Sequence, residues 1–106
     1  MARPIHFCGT SQDDLRSFPQ DAKADAGYQL HRIQEGLDPN DWKPMKTVGA
    51  GVIEIRIAEK SGAFRVFYVA NRPDAIYVLH AFQKTTQKTE KRDIDLAKAR
   101  MKEVPR

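Results

Sequence analysis

The chain has 106 residues, 41% of them hydrophobic and 30% charged, with a net charge of +4. That is enough for a single domain, residues 1–106, with one modest core. No apolar run approaches the length of a membrane span and no signal-peptide pattern opens the chain, so neither a membrane nor a secreted protein is expected.

Cys8 is the only cysteine. It cannot form an internal disulfide, and the reducing cytoplasm is its natural setting. The three histidines, His6, His31 and His80, are far apart with no second cysteine, so metal-ligand spacing is absent and no metal or cofactor is expected. The charge is unevenly spread. Residues 1–41 hold four Lys/Arg against seven Asp/Glu, and residues 42–106 hold fourteen against seven. A basic half of this kind suits a polyanion such as nucleic acid; the bland alternative is a solvated surface with scattered charge.

In chain order, Pro4–Gly9 alternates Ile5 and Phe7 with His6 and Cys8, the pattern of a first strand. Thr10 or Ser11 offers an N-cap, Asp13 and Asp14 suit the first turn of a helix, and Pro19 stops it. A second helix is predicted from about Gln20 to Gly36, with Ala22, Ala26, Leu30, Ile33 and Leu37 as its apolar stripe and Tyr28 beside it. Gly27 inside it costs about 1 kcal/mol against alanine, which close packing on a neighbour would explain. The two helices are expected to form a hairpin over one face of a sheet. Prolines and glycines between Asp38 and Gly51 predict an irregular loop, in which Pro44 holds Lys43 and Lys46 at a fixed separation or, in the bland reading, those lysines are solubilising charges and Trp42 a core plug. Gly49 and Gly51 form no phosphate-loop motif.

Three β-rich runs follow, Val52–Ala58, Phe64–Ala70 and Ala75–Phe82, separated by short turn-rich breaks: a three-stranded antiparallel meander. Alternation puts Ile53, Ile55 and Ile57 on the core face and turns Glu54 and Arg56 outward. Thr89–Glu90 opens a last, basic helix with Ile94, Ala97, Met101 and Val104 as its stripe; Lys91, Arg92, Lys98, Arg100 and Lys102 cover the rest. The class is α+β in the order β-α-α-β-β-β-α, a small antiparallel sheet with the first strand added beside the last.

Nucleophile-elbow, cysteine-nucleophile and paired-carboxylate arrangements are absent. What remains is chemistry on an RNA phosphodiester, whose own 2′-hydroxyl is the nucleophile. Such an enzyme must take that proton, stabilise the phosphorane and protonate the leaving oxygen. Arginine suits the second task through bidentate contact with phosphate oxygens. Lysine can transfer protons when neighbouring cations depress its pKa. Arg56, Arg65 and Lys84 are the candidates. Arg65, amid Phe64, Val66, Phe67, Tyr68 and Val69, needs either an anionic substrate or an ion pair with Glu54. His80 lies where both strand faces are apolar; it is a general-base candidate or a satisfied core histidine. Tyr68 and Tyr77 either stack a base or belong to the core.

Trp42–Lys43–Pro44–Met45, Gly51–Val52–Ile53–Glu54–Ile55–Arg56, Phe64–Arg65–Val66–Phe67–Tyr68–Val69, Leu79–His80–Ala81–Phe82–Gln83–Lys84, Thr86–Gln87–Lys88–Thr89 and Ile94–Asp95–Leu96–Ala97–Lys98 resemble the phage-derived HigB branch of the RelE/ParE toxin superfamily. The likeness covers nearly the whole chain. It implies a RelE-like microbial ribonuclease fold and the toxin of a type II toxin–antitoxin system. The activity implied is a ribosome-dependent endoribonuclease that cuts translated mRNA. The partner implied is an antitoxin with a helix-turn-helix domain, through whose complex alone operator DNA is bound. Arg65 and Lys84 match basic positions of the family's concave face, with Arg56, Lys43, Lys46 and Lys88 as phosphate contacts. RNA or ribosome contacts are also expected of Gln83, Lys91 and Arg92. Thr85 stands where relatives often carry another lysine, and neither tyrosine nor histidine follows His80, unlike some RelE-type enzymes. Two other classes stay open: a ParE-like toxin that binds a protein target without nuclease activity, and an RNA-binding module without chemistry.

Overall fold

A computed structural model describes residues 2–106. Its elements run β1 (Ile5–Phe7), α1 (Ser11–Arg16), α2 (Gln20–Gln34), β2 (Trp42–Pro44), β3 (Val52–Glu59), β4 (Gly62–Val69), β5 (Ile76–Lys84) and α3 (Lys91–Met101). The architecture is α+β, as the sequence indicates, and consistent with a RelE-like fold. The five strands are ordered β1-β5-β4-β3-β2. The meander β3-β4-β5 is antiparallel, with Glu59 paired to Gly62 across a two-residue turn. Gly62, at φ 136°, takes the backbone conformation that this turn demands.

Two expectations about the sheet are corrected. β1 does lie beside β5, but parallel to it, so the sheet is mixed rather than antiparallel. The segment expected to be all loop contributes β2, an antiparallel edge strand in which Lys43 pairs with Glu54. Pro44 is tolerated there because an edge strand needs no N–H on its outer side. Trp42, on that edge, is 40% exposed and plugs no core.

The α1–α2 pair covers one sheet face as expected. Leu15, Phe18, Ala22, Ala26, Leu30 and Ile33 pack on Ile55, Ile57, Phe64, Val66, Tyr68, Ile76 and Val78. Tyr68 is therefore a core residue. The helix ends on Gly36 at φ 84°, whose N–H reaches the Ile33 carbonyl while Leu37 N–H reaches that of Arg32. Leu37 and Tyr28 stay out of the stripe, both more than half exposed. Gly27 has open space where a side chain would stand, so close packing does not explain it.

The opposite face is also packed. Val52, Phe67, Val69, Tyr77 and Leu79 are covered by Met45 and Val48 from the loop and by Ala97 and Val104 from the C-terminal segment. Glu54, expected to look out, is consequently buried outright, while Arg56, nearer the open end, is exposed.

Between Phe67 and Tyr68 the register of β4 on β5 jumps from His80 to Val78, leaving Leu79 as a one-residue bulge in β5. Alternation is reversed beyond it. Ile76 and Val78 face the α1–α2 layer, whereas His80, Phe82 and Lys84 face the other way, with Phe67 and Arg65.

Candidate functional site

Side chains directly opposite one another in paired strands share a face. The registers therefore build two cross-strand rows on the α3 side: Lys43–Glu54–Phe67–His80, then Arg56–Arg65–Phe82, with Lys84 next along β5 opposite Ala63. Arg56, Arg65 and Lys84 come from three successive strands and line one depression of about 450 Å³, together with Thr85, Thr86 and Gln87. A second depression, about 620 Å³, is lined by Lys43, Lys46, Lys84 and Lys88 around Pro44, Met45 and Ile94. Lys84 and Gln87 border both, so the two form one cationic groove.

Beneath the groove is the Glu54 carboxylate, closed to solvent. Its Oε1 is 3.7 Å from Arg65 Nε and 3.9 Å from Lys43 Nζ, yet neither oxygen accepts a hydrogen bond among the described residues. Arg65 donates from Nη1 to the Phe64 carbonyl at 2.9 Å. Burial holds the Arg65 guanidinium below the usual arginine range, an effect that Glu54 opposes. Lys84 is likewise lowered, first by burial and then by the charge of Arg65, with Lys43 and Arg56 adding to it and Glu54 opposing it. The arrangement sets a fixed guanidinium beside an ammonium that gives up its proton more readily than an ordinary lysine.

His80 is set apart from these cations. It is 5% exposed, stacks on Phe82 with ring centroids 4.9 Å apart, and its Nε2 lies 2.8 Å from Asp93 Oδ1 of α3. Its Nδ1 is 3.5 Å from Arg100 Nη1, and that guanidinium also donates to the Leu79 carbonyl and to Thr10. Arg100, expected on the solvated surface, is thus a buried strut. The network opens on a separate cavity of about 480 Å³, lined also by Gln83 and Arg92. Arg92 pairs with Glu90 at 3.3 Å, and Lys91 pairs with Asp95 at 2.9 Å on the exposed side of α3. Gln83, Lys91 and Arg92 therefore line neither depression of the groove.

The pairing of Arg65 with Glu54 was one of the two sequence readings of that arginine, whereas the burial of Glu54, expected on the open face, was missed. Thr85, Thr86 and Gln87 entered the sequence reading only through the family resemblance, which gave them no contact role; the structure puts them on the wall of the depression.

Compared with known proteins, the chain matches no curated protein. The profile of the family described as Phage derived protein Gp49-like (DUF891) matches residues 13–102, from within α1 through the whole of α3. The chain belongs to this Gp49-like, phage-derived family, which is related to toxin–antitoxin systems.

Proposed function

We propose that this chain is the toxin of a type II toxin–antitoxin system, a ribosome-dependent endoribonuclease of the HigB branch of the RelE/ParE superfamily. The observation that carries the reading is the convergence of Arg56, Arg65 and Lys84 on one face of the sheet. Directly opposed arginines cost cross-strand stability, which an anionic substrate offsets.

In the proposed reaction the 2′-hydroxyl of the RNA attacks the adjacent phosphorus and the bond to the 5′ oxygen breaks. The products are a 2′,3′-cyclic phosphate and a 5′-hydroxyl. Arg65, oriented by its carboxylate anchor, neutralises the non-bridging oxygens as charge builds on them. Lys84, with its lowered pKa, moves the proton between attacking and leaving oxygens. Arg56 contributes a further phosphate contact. Lys43, Lys46 and Lys88 hold the neighbouring backbone along the groove. His80 acts at a distance, fastening α3 to the sheet through Asp93. Neutralisation falls to a helix-turn-helix antitoxin, operator DNA is bound only in its complex, and the site of action is the cytoplasm. No helix among the described residues is long and apolar enough to cross a membrane.

Induction of wild type and Arg65→Ala in cells, followed by mapping of mRNA 5′ ends, tests the proposal. Growth arrest with codon-linked cuts for wild type alone is expected. Arrest with intact mRNA would instead favour a toxin acting on a protein.

A further inference from the structure

The termini bring together three side chains that the groove does not use. We propose that His6, Cys8 and Glu103 form a site for one zinc-class divalent cation, which fastens the end of α3 to the N-terminal strand. The proposal is independent of the ribonuclease reading.

His6 and Cys8 are two residues apart along β1 and its exit, so they point to the same side, while Ile5 and Phe7 pack into the helix-side core. The Cys8 N–H donates to the Val78 carbonyl at 2.9 Å, which fixes the backbone that carries the thiol. Glu103 arrives just past α3, its N–H bonded to the Arg100 carbonyl at 2.9 Å. One ligand atom from each side chain lies within 4.8 Å of the other two. Around tetrahedral zinc, with bonds of about 2.0–2.3 Å, ligand atoms stand roughly 3.3–3.7 Å apart. Closure by about an ångström completes the geometry. It falls to His6, whose ring lies 5.3 Å from that of Tyr77, and Glu103, both exposed, over a cysteine that is closed to solvent.

The donors are an imidazole nitrogen, a thiolate and a carboxylate, a set that zinc prefers to magnesium or calcium. Two anionic ligands balance the dication. Arg100 opposes it, but that guanidinium is committed to Leu79 and Thr10. In the metal-free protein burial pushes the thiol up to about 11, with Glu103 adding to the shift and Arg100 opposing it. The cation replaces the thiol proton, so each binding event releases one proton. The fourth position faces solvent beside the two exposed ligands.

The test uses the full, reduced chain with Co²⁺ as the probe. One equivalent is expected to give the visible absorption of tetrahedral cobalt and a near-ultraviolet thiolate-to-cobalt band, both abolished by Zn²⁺. Zn²⁺ at a hundredfold excess over its Kd should raise Tm by roughly 10 °C. Cys8→Ser should lose the thiolate band. His6→Ala and Glu103→Gln, at exposed positions, should each weaken binding at least tenfold while folding normally. Absence of the thiolate band in wild type, or equal affinity in those two exposed variants, would overturn the assignment.

Discussion

Glu54 Oε1 stands 3.7 Å from Arg65 Nε at the floor of the groove, and among the described residues neither carboxylate oxygen nor that Nε has a hydrogen-bond partner. Attraction at that distance holds the guanidinium against the wall of the groove, but each partner depends on the other for compensation. Glu54→Gln should therefore destabilise the fold by about 3 kcal/mol, because it strands a buried cation. The double change Glu54→Leu, Arg65→Leu should recover most of that loss, since two apolar groups need no compensation. Urea denaturation of the three proteins checks both statements.

Lys84 supplies the pH dependence. Its ammonium is destabilised by burial and by Arg65, so it should lose its proton below the ordinary lysine value of 10.5. A carbon-13 titration of its Cε resonance should show that lowered midpoint. Arg65→Gln should move the midpoint back up. An unmoved midpoint would mean that Arg65 exerts no field there.

Acid should loosen a contact on the α2 side of the sheet. Asp21, in the first turn of α2, accepts from the Ser61 hydroxyl at 2.6 Å and so ties the helix to the β3–β4 turn. That bond, first among the causes, lowers the Asp21 pKa from 3.8. A carboxylate held lower in the folded state adds stability above its unfolded value, and that stability disappears as pH falls through the folded value. Asp21→Asn should thus be less stable than wild type at neutral pH and indistinguishable from it in strong acid, as compared by denaturant midpoints.

Gly27 occupies a helix interior, and among the described residues nothing beyond its own helix backbone and chain neighbours comes within 4 Å of the place where a Cβ would stand. Gly27→Ala should stabilise the protein by about 1 kcal/mol, through helix propensity and a less flexible unfolded chain. A calorimetric Tm that fails to rise would reveal a constraint on Gly27 outside the monomer fold.

The helix pair, the meander and the placement of β1 beside β5 were legible because periodicity and turn residues act locally. Ala22, Ala26, Leu30 and Ile33 mark their buried face directly. The direction of Lys84 was not legible. Uninterrupted alternation would have put it with Ile76 and Val78, on the helix face away from Arg65. The bulge at Leu79 reverses that, and a leucine among apolar neighbours gives no sign of doing so. Glu54 misled for a related reason: its burial depends on Met45, Val48 and α3 closing the second face, which no strand pattern records. Pairing of Lys43 with Glu54 was hidden by Pro44, a residue that argues against a strand unless the strand lies at an edge.

Purified chain added to ribosomes translating a defined mRNA, with both new ends of each cut identified chemically, tests the central claim most directly. The account predicts cuts that leave 2′,3′-cyclic phosphate and 5′-hydroxyl ends, slowed roughly tenfold or more in Lys84→Ala, the scale of one lost charge-assisted contact. Intact mRNA with the wild-type protein, or equally fast cutting by a folded Lys84→Ala, would contradict it.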